Sequence, residues 1–363
     1  MYATILKVFI PAIATFVIAI ALTPWMTDIM YRHKLWKRSA RNNKEENPGM
    51  SAEFCKIHNT VTETSTPRVG GVVIWLSVIV TAALLWILSK TVQAPFFDQL
   101  DLVSRGQTWL LFFGLIVASL IGLADDLLQI FGNGNKIVSG LTRWQRVGSV
   151  VAIGLVGALW LYIKLDISTV YIPFHGVLEL GVGFILFFIL VMLGTFSSSV
   201  IDGIDGLAGG VMTTAFSAYG VIAFFQGQMD IAAFCALIVG GLLAFLWFNI
   251  PPARFYLGET GMLGLTVTLA LVAFFTNQVL VLLVIGFPLV ATSLSSTIQM
   301  IAKKKFGKKG FPHSTTSLSF SCNRVDCRKD YDAVLDCCYH VLSCWYYYCT
   351  SRVRYGTESW NAR

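Results

Sequence analysis

The sequence has few charged residues and few histidines, and its cysteines are concentrated in one terminal stretch. Of its 363 residues only 13% are charged, 55% are hydrophobic, and the mean hydropathy is +0.68. An average soluble domain has about 25% charged residues, so the composition excludes an ordinary soluble protein and indicates a bilayer protein. The five histidines are too scattered to suggest a Ser-His-Asp arrangement. Six of the eight cysteines follow residue 320 at spacings that match no common zinc site, and Cys55 and Cys235 imply no disulfide framework.

Nine apolar segments are long enough, or nearly long enough, to cross a membrane as helices. A spanning helix needs about 20 apolar residues. The first segment is long enough to span and has a single basic residue near its start, which predicts a retained helix rather than a cleaved signal. The sequence therefore predicts an all-α polytopic membrane protein. Its predicted spans are 5–26, 70–89, 108–124, 147–165, 179–197, 207–226, 229–248, 262–276 and 278–301.

Basic residues are divided unequally between the loops on the two membrane faces. The loops on one face hold 17 Lys and Arg residues, and those on the other face hold 3. Cytoplasmic loops carry the excess of Lys and Arg. The richer loops are therefore predicted to be cytoplasmic, with the N-terminus outside, in the cell inner (plasma) membrane. Since topology accounts for the net charge of +7, no nucleic-acid partner is expected.

The segment 166–180 joins the fourth and fifth spans on the predicted outer face. It alternates in part between apolar and polar residues, contains β-branched residues and has a Phe174-His175-Gly176 turn signal. These features predict a small periplasmic hairpin.

Four acidic residues stand in two motifs on the predicted cytoplasmic face. Asp125 and Asp126 close the third span, where carboxylates oppose the helix dipole and repel one another, so a cation is their natural partner. Asp202 and Asp205 are three residues apart, among glycines that let the backbone approach a bulky anion closely. Each motif alone is also explained by solvated acids or by a flexible loop.

Two further motifs on this face combine basic, amide and acidic side chains. The loop 249–261 contains Asn249, Arg254 and Glu259, and Arg68 lies in a Pro-Arg-x-Gly-Gly string before the second span. Taken singly, both are ordinary Pro/Gly connectors. Taken together, the four motifs bring five carboxylates and basic groups to one face. Mg²⁺ takes oxygen ligands, and metal-assisted phosphoryl transfer needs such acids together with basic residues on the phosphates.

The order of these motifs resembles that of the polyprenyl-phosphate N-acetylhexosamine-1-phosphate transferases, and within them the muramoyl-pentapeptide branch. The matching strings are Pro-Arg-x-Gly-Gly, Asp-Asp, Asp-Gly-Ile-Asp-Gly-Leu-Ala-Gly-Gly and Asn-x-x-Pro-Ala-x-x-Tyr-x-Gly-Glu-x-Gly. The resemblance covers about residues 1–310. It implies ten spans, cytoplasmic active-site loops, and Mg²⁺ or Mn²⁺ as cofactor. The implied reaction joins a sugar phosphate from a UDP-linked amino sugar to a polyprenyl phosphate lipid; a homodimer is an open option.

The resemblance also assigns roles to single residues. An Asp of the Asp125-Asp126 pair would serve as base or metal neighbour, and Glu259 matches the family's Mg²⁺-binding Asp. Lys136 opens a segment that resembles the family's Lys-Gly-Leu-Ser loop. The expected site is therefore Asp125, Asp126, Asp202 and Asp205 as catalytic groups, Glu259 and Asp205 as metal ligands, and Asn249, Arg68 and Lys136 as cofactor- and substrate-binding groups.

Several departures from the family pattern leave the branch open. Ser199 and Glu259 stand where the family usually has Asn and Asp, and Tyr256 where it usually has Phe. Glu is longer by one methylene group, which alters the geometry of a metal site. Pro-Arg-x-Gly-Gly is more typical of the N-acetylglucosamine branch, whose members transfer N-acetylglucosamine 1-phosphate from its UDP derivative to a polyprenyl phosphate. A transporter and an inactive membrane scaffold are the rivals from other classes. Acids at span ends, rather than at the midplane, speak against a transporter.

The chain changes character near Gly310, which divides a transmembrane catalytic domain, 1–310, from an anomalous Cys-rich tail, 311–363. No apolar run of 17 residues occurs in the tail, and the family's His-rich loop and tenth span are missing. A shift of one nucleotide, with allowed codons, would permit a His-x-His string followed by an apolar run. The sequence therefore predicts nine readable spans, and weak or no activity if the tail is authentic.

Overall fold

The computed structural model describes most of the chain before residue 307. The described residues are 2–36, 66–92, 100–102, 106–131, 140–172, 176–202, 205–251 and 253–306. The predicted tail domain, 311–363, and the candidate residue Lys136 lie outside these ranges.

Within the described residues the chain forms ten α-helices and one two-stranded sheet. The first four helices are α1 (Tyr2–Arg32), α2 (Gly71–Thr91), α3 (Gly106–Phe131) and α4 (Arg143–Lys164). The strands β1 (Thr169–Ile172) and β2 (Gly176–Glu179) follow, and then α5 (Gly183–Ser197) and a 3-10 turn, Ser198–Ile201. The remaining helices are α6 (Leu207–Phe225), α7 (Met229–Asn249), α8 (Gly258–Phe275), the one-turn α9 (Leu282–Ile285) and α10 (Phe287–Phe306).

The helices confirm the prediction of an all-α polytopic membrane protein. Seven of the described helices, α1 to α4 and α6 to α8, are long and apolar enough to cross a membrane. Helix α5 is apolar but shorter, with 15 residues. The predicted ninth span, 278–301, is divided, since α9 ends before Gly286 and α10 begins at Phe287. Pro288 stands in the first turn of α10, where its missing N–H leaves no helical hydrogen bond unmade.

Helix α8 is the central helix of the bundle. Of its 18 residues 94% are buried inside the protein, and α2, α3, α5 and α6 all contact it. Glycines permit the close approach: a side chain at Gly122 in α3 would collide with the backbone of Glu259, and one at Gly71 in α2 with the backbone of Gly261. The sequence predicted a short eighth span, 262–276, that is partly buried. The helix is indeed buried, but it begins four residues earlier, at Gly258.

The predicted hairpin lies at the end of the bundle where α8 ends. Strands β1 and β2 pair antiparallel, with Tyr171 opposite Val177, so the expected hairpin between the fourth and fifth spans is confirmed. The side-chain oxygen of Asn277, which follows α8, accepts a hydrogen bond of 3.0 Å from the Tyr171 N–H. The hairpin is thereby attached to the far end of the central helix from Glu259.

Candidate active site

The candidate residues that the structure describes meet at one end of the bundle, where α3, α5 and α7 end and α2, α4, α6 and α8 begin. Hydrogen bonds join the segments at this end to one another rather than leaving them as separate loops. Tyr256 donates its N–H to Pro67 O at 2.8 Å, and Gly70 donates its N–H to Tyr256 O at 2.9 Å. A side chain at Gly70 would collide with Phe255 and with the carbonyl of Tyr256. The Pro-Arg-x-Gly-Gly string is therefore the backbone partner of the segment that leads into α8.

Asp126 caps the N-terminus of α8. Its Oδ2 accepts hydrogen bonds from the Thr260 N–H at 2.8 Å and from Thr260 Oγ1 at 2.6 Å, and its Oδ1 accepts one of 3.3 Å from the Glu259 N–H. Free N–H groups and the positive end of the helix dipole favour a carboxylate in this position. The predicted end of the third span was wrong, since α3 continues to Phe131. Asp126 therefore does not oppose the dipole of its own helix but is stabilised by that of another.

Asp125 holds the start of α4 against α3. Its Oδ1 accepts a 2.6 Å hydrogen bond from the Leu141 N–H, and its Oδ2 accepts one of 3.0 Å from Gln129 Nε2. Arg146 Nη2 forms an ion pair of 3.0 Å with the same Oδ2. The side chain of Asp125 is 2% exposed, so its charge is neutralised by donors that the protein itself supplies.

Arg146 connects Asp125 to Glu259. Its Nη1 lies 3.0 Å from Glu259 Oε1, so one guanidinium joins α3, α4 and α8. Among the residues that the structure describes, two buried atoms of this bridge, Arg146 Nε and Glu259 Oε2, have no hydrogen-bond partner. Arg146 was not predicted as a site residue, because the excess of basic residues in the cytoplasmic loops already accounts for it. Its place in the first turn of α4, beside the Asp125 motif, was the available signal.

Asp202 and Asp205 accept hydrogen bonds from the start of α8 and from the segment that precedes it. Asp202 Oδ2 accepts from the Gly258 N–H at 3.1 Å, and Asp205 Oδ2 accepts from the Ala253 N–H at 3.3 Å. They lie on the turn between the 3-10 turn and α6, not on one face of a helix. Burial raises the pKa of the Asp205 carboxyl, and the charge of Asp202 raises it further, while the Ala253 N–H opposes the shift. The negative charge of Asp202 also acts on Glu259.

Asn249 joins the turn that carries Asp205 to the segment that leads into α8. Its Oδ1 accepts a hydrogen bond of 2.8 Å from the Gly206 N–H, and its Nδ2 donates one of 2.8 Å to Phe255 O. Gly206 has a φ of +76°, which suits glycine. The oxygen and the nitrogen of the Asn249 amide are thus both bonded to backbone groups, and its expected role in cofactor and substrate binding stays a prediction. The charge of Arg68 acts on both Asp126 and Glu259, which brings this predicted residue to the same site.

The carboxylates at this end of the bundle fit a hard divalent cation that takes some of its oxygen ligands from the protein and others from a substrate. In the part of the chain described, no three His, Cys, Asp or Glu residues form a group able to hold a metal ion by themselves. Mg²⁺ usually keeps only one or two protein carboxylates and takes its other oxygens from phosphates and water. Glu259 Oε2 is buried and has no partner among the described residues, so it fits the part of such a carboxylate oxygen, and the charge of Asp202 acts on Glu259.

Comparisons with known proteins agree with this geometry. Residues 108–277 match the family described as Glycosyl transferase family 4. A phospho-N-acetylmuramoyl-pentapeptide-transferase of Geobacillus sp. is 34% identical over 302 residues, which cover 82% of this chain and 84% of the relative. Proteins of the same name from Listeria monocytogenes and Levilactobacillus brevis are 32% and 31% identical, over 85% and 87% of their lengths.

The matched region contains most of the site. It begins in α3 and ends just after α8, and so includes Asp125, Arg146, Asp202 and Glu259. With relatives that are similar over more than four fifths of their length, this multi-pass membrane protein belongs to glycosyl transferase family 4.

Proposed function

We propose that this protein transfers phospho-N-acetylmuramoyl-pentapeptide from its UDP derivative to undecaprenyl phosphate, giving lipid I and UMP in peptidoglycan synthesis. The observation that carries the proposal is the group of four carboxylates, Asp125, Asp202, Asp205 and Glu259, gathered with Arg146 at one end of an apolar helix bundle. The names of the relatives add the substrate class.

The reaction is a phosphoryl transfer between two phosphates. An oxygen of the lipid phosphate attacks the phosphorus that bears the sugar, a new P–O–P bridge forms, and the old bridge to the nucleotide breaks. The electron pair of that broken bond leaves with UMP. Such transfers depend mostly on positioning and on neutralising the charge that develops on the phosphoryl oxygens.

Mg²⁺, with Mn²⁺ as an alternative, is the proposed cofactor. Glu259 Oε2 would hold it together with Asp202 or Asp205, and when bound it would neutralise charge on the diphosphate and polarise its oxygens. The protein's own groups prepare this site. Asp126 fixes the start of α8 and therefore the backbone of Glu259, and the guanidinium of Arg146 fixes its carboxylate.

Asp205 is the proposed proton acceptor for the lipid phosphate. Its carboxyl lies on a turn outside the helices, and its raised pKa brings it nearer to the second pKa of a phosphate, about 6. Asp125 and Asp126 accept hydrogen bonds on both of their oxygens. In this proposal they position α4 and α8, and act on the substrate through Arg146 and Glu259.

The proposed location of the site is the cytoplasmic face of the inner membrane. The support is the excess of Lys and Arg in the loops at this end. The lipid would lie along the bundle with its phosphate at the interface, where Arg68 and Arg146 supply positive charge.

The test is transfer by the purified, full-length protein in detergent or nanodiscs. Undecaprenyl phosphate and UDP-N-acetylmuramoyl-pentapeptide should give lipid I and UMP in equal amounts, EDTA should abolish both, and Mg²⁺ should restore them. Because the string around Arg68 is more typical of the N-acetylglucosamine branch, UDP-N-acetylglucosamine is the second substrate to test. Product from that sugar alone would replace the muramoyl assignment, and product from neither sugar would leave the inactive scaffold.

A further inference from the structure

Arg146 occupies the place next to the oxygen at which a cation would bind. Its guanidinium lies 3.0 Å from Glu259 Oε1 and 3.0 Å from Asp125 Oδ2. Three quarters of the side chain is shielded from solvent, since it is 25% exposed. The charge of Arg146 is therefore only partly screened by water. A cation bound to the other oxygen of Glu259 would face this positive charge across a single carboxylate.

The two atoms of the Arg146–Glu259 bridge that lack a partner within the described part of the chain require different ligands. Arg146 Nε is a buried donor, and Glu259 Oε2 is a buried acceptor. A lone cation would satisfy the acceptor and be repelled by the donor's charge. A lone phosphate would satisfy the donor and be repelled by the carboxylates. A diphosphate that carries a divalent cation would satisfy both atoms, because it brings phosphate oxygens to Nε and a cation to Oε2.

We propose that Arg146 is an internal counter-ion that makes binding of the divalent cation depend on the diphosphate. In the free protein it neutralises Glu259 and Asp125, and so keeps the affinity for a lone cation low. When the diphosphate is present, its negative charge offsets the charge of Arg146, and the cation and the nucleotide bind together. The inference rests on the proposed function, because it names how that site acquires its cofactor.

The test measures Mn²⁺ binding to the nucleotide-free, full-length protein by electron paramagnetic resonance. Arg146→Gln removes the charge and keeps a polar side chain of moderate length, so we expect its Mn²⁺ affinity to exceed that of the wild type by about tenfold or more. Arg146→Lys keeps the charge, so its affinity should stay within about threefold of the wild type. Arg143→Gln, an exposed change in the same first turn of α4, should leave Mn²⁺ binding unaltered.

A double variant identifies the site that the experiment detects. Adding Glu259→Gln to Arg146→Gln should remove the gained Mn²⁺ affinity, and thermal unfolding in detergent checks that each variant is folded. The inference is overturned by unchanged or weaker Mn²⁺ binding in Arg146→Gln. It is equally overturned by a similar gain in Arg146→Lys, or by tight binding that persists in the double variant.

The measurement is independent of transferase activity. A wild type that makes lipid I, with an Arg146→Gln variant that gains no Mn²⁺ affinity, leaves the proposed function standing and removes the role of Arg146 as counter-ion. Conversely, the predicted Mn²⁺ pattern in a protein that transfers neither sugar would remove the proposed reaction but retain Arg146 as the counter-ion of the cation site.

Discussion

Replacing Asn249 by Ala should destabilise the protein in the absence of any ligand. Both of its hydrogen bonds, each of 2.8 Å, go to backbone groups, and the residue is 4% exposed. Truncation leaves the Gly206 N–H and the Phe255 carbonyl without their partner. Each unsatisfied buried group costs about 1–3 kcal/mol, so we expect the free energy of unfolding to fall by about 2–6 kcal/mol.

The assay is reversible unfolding in mixed micelles, followed by tryptophan fluorescence without nucleotide. Gln226→Ala is a matched control, since this exposed amide makes one hydrogen bond of 3.0 Å, to Thr276 O, at the opposite end of the bundle. Its change should be within about 1 kcal/mol. If Asn249→Ala unfolded like the wild type and only raised the KM for the UDP substrate, the residue would be a nucleotide contact, and its role as a connection between loops would be refuted.

Three further predictions concern Asp205 and the orientation of the bundle. Asp205→Asn keeps the volume but removes the charge, so turnover, measured as lipid I formed, should fall by about 10²-fold or more; normal turnover would remove Asp205 from the site. Burial raises the pKa of Asp205, so its protonated form stabilises the fold in acid, and this contribution is lost as the pH rises from the ordinary carboxyl range through the raised pKa. As the pH rises above the ordinary carboxyl range of about 4, the unfolding temperature of Asp205→Asn should therefore rise relative to that of the wild type, and a difference that is constant or shrinks with pH would contradict the raised pKa. In sealed cells, a cysteine that replaces the exposed Arg254 should react only with reagents that enter the cytoplasm. A cysteine that replaces the exposed Glu179 in the hairpin should react with reagents added outside. The reverse pattern would place the site on the outer face of the membrane.

The helices were largely predictable because each is a long apolar run with clear ends. The boundary errors occurred where polar residues lie inside a helix. The prediction ended the third span before Asp125, yet α3 continues to Phe131. Hydropathy treats a carboxylate as an end signal, whereas here Arg146, Leu141 and Thr260 supply hydrogen bonds that stabilise both acids within the helix. Leu141 and Thr260 are distant in sequence from the acids that they contact, so no local pattern could indicate these two hydrogen bonds.

The composition of the site was more predictable than the roles within it. The motifs placed the acids correctly at one end of the bundle, but the structure gives them different surroundings. Asp126 caps a helix, Asp125 pairs with an arginine, and Asn249 joins two backbones. Such roles depend on which group faces which across the bundle. Arg146 was overlooked because a basic residue at a membrane edge is already explained by topology.

The central position of α8 also constrains how the polypeptide is assembled during translation. The helices that surround it, α2, α3, α5 and α6, all precede it in the chain. They are therefore synthesised before it. Helix α8 is less hydrophobic than α1, α2 and α7, and it carries Glu259 in its first turn. Helix α8 therefore packs mainly against helices that were made before it rather than against lipid. Asp126 can cap α8 only after α8 has been made, so the site is completed after the segments that carry Asp125, Asp202 and Asp205.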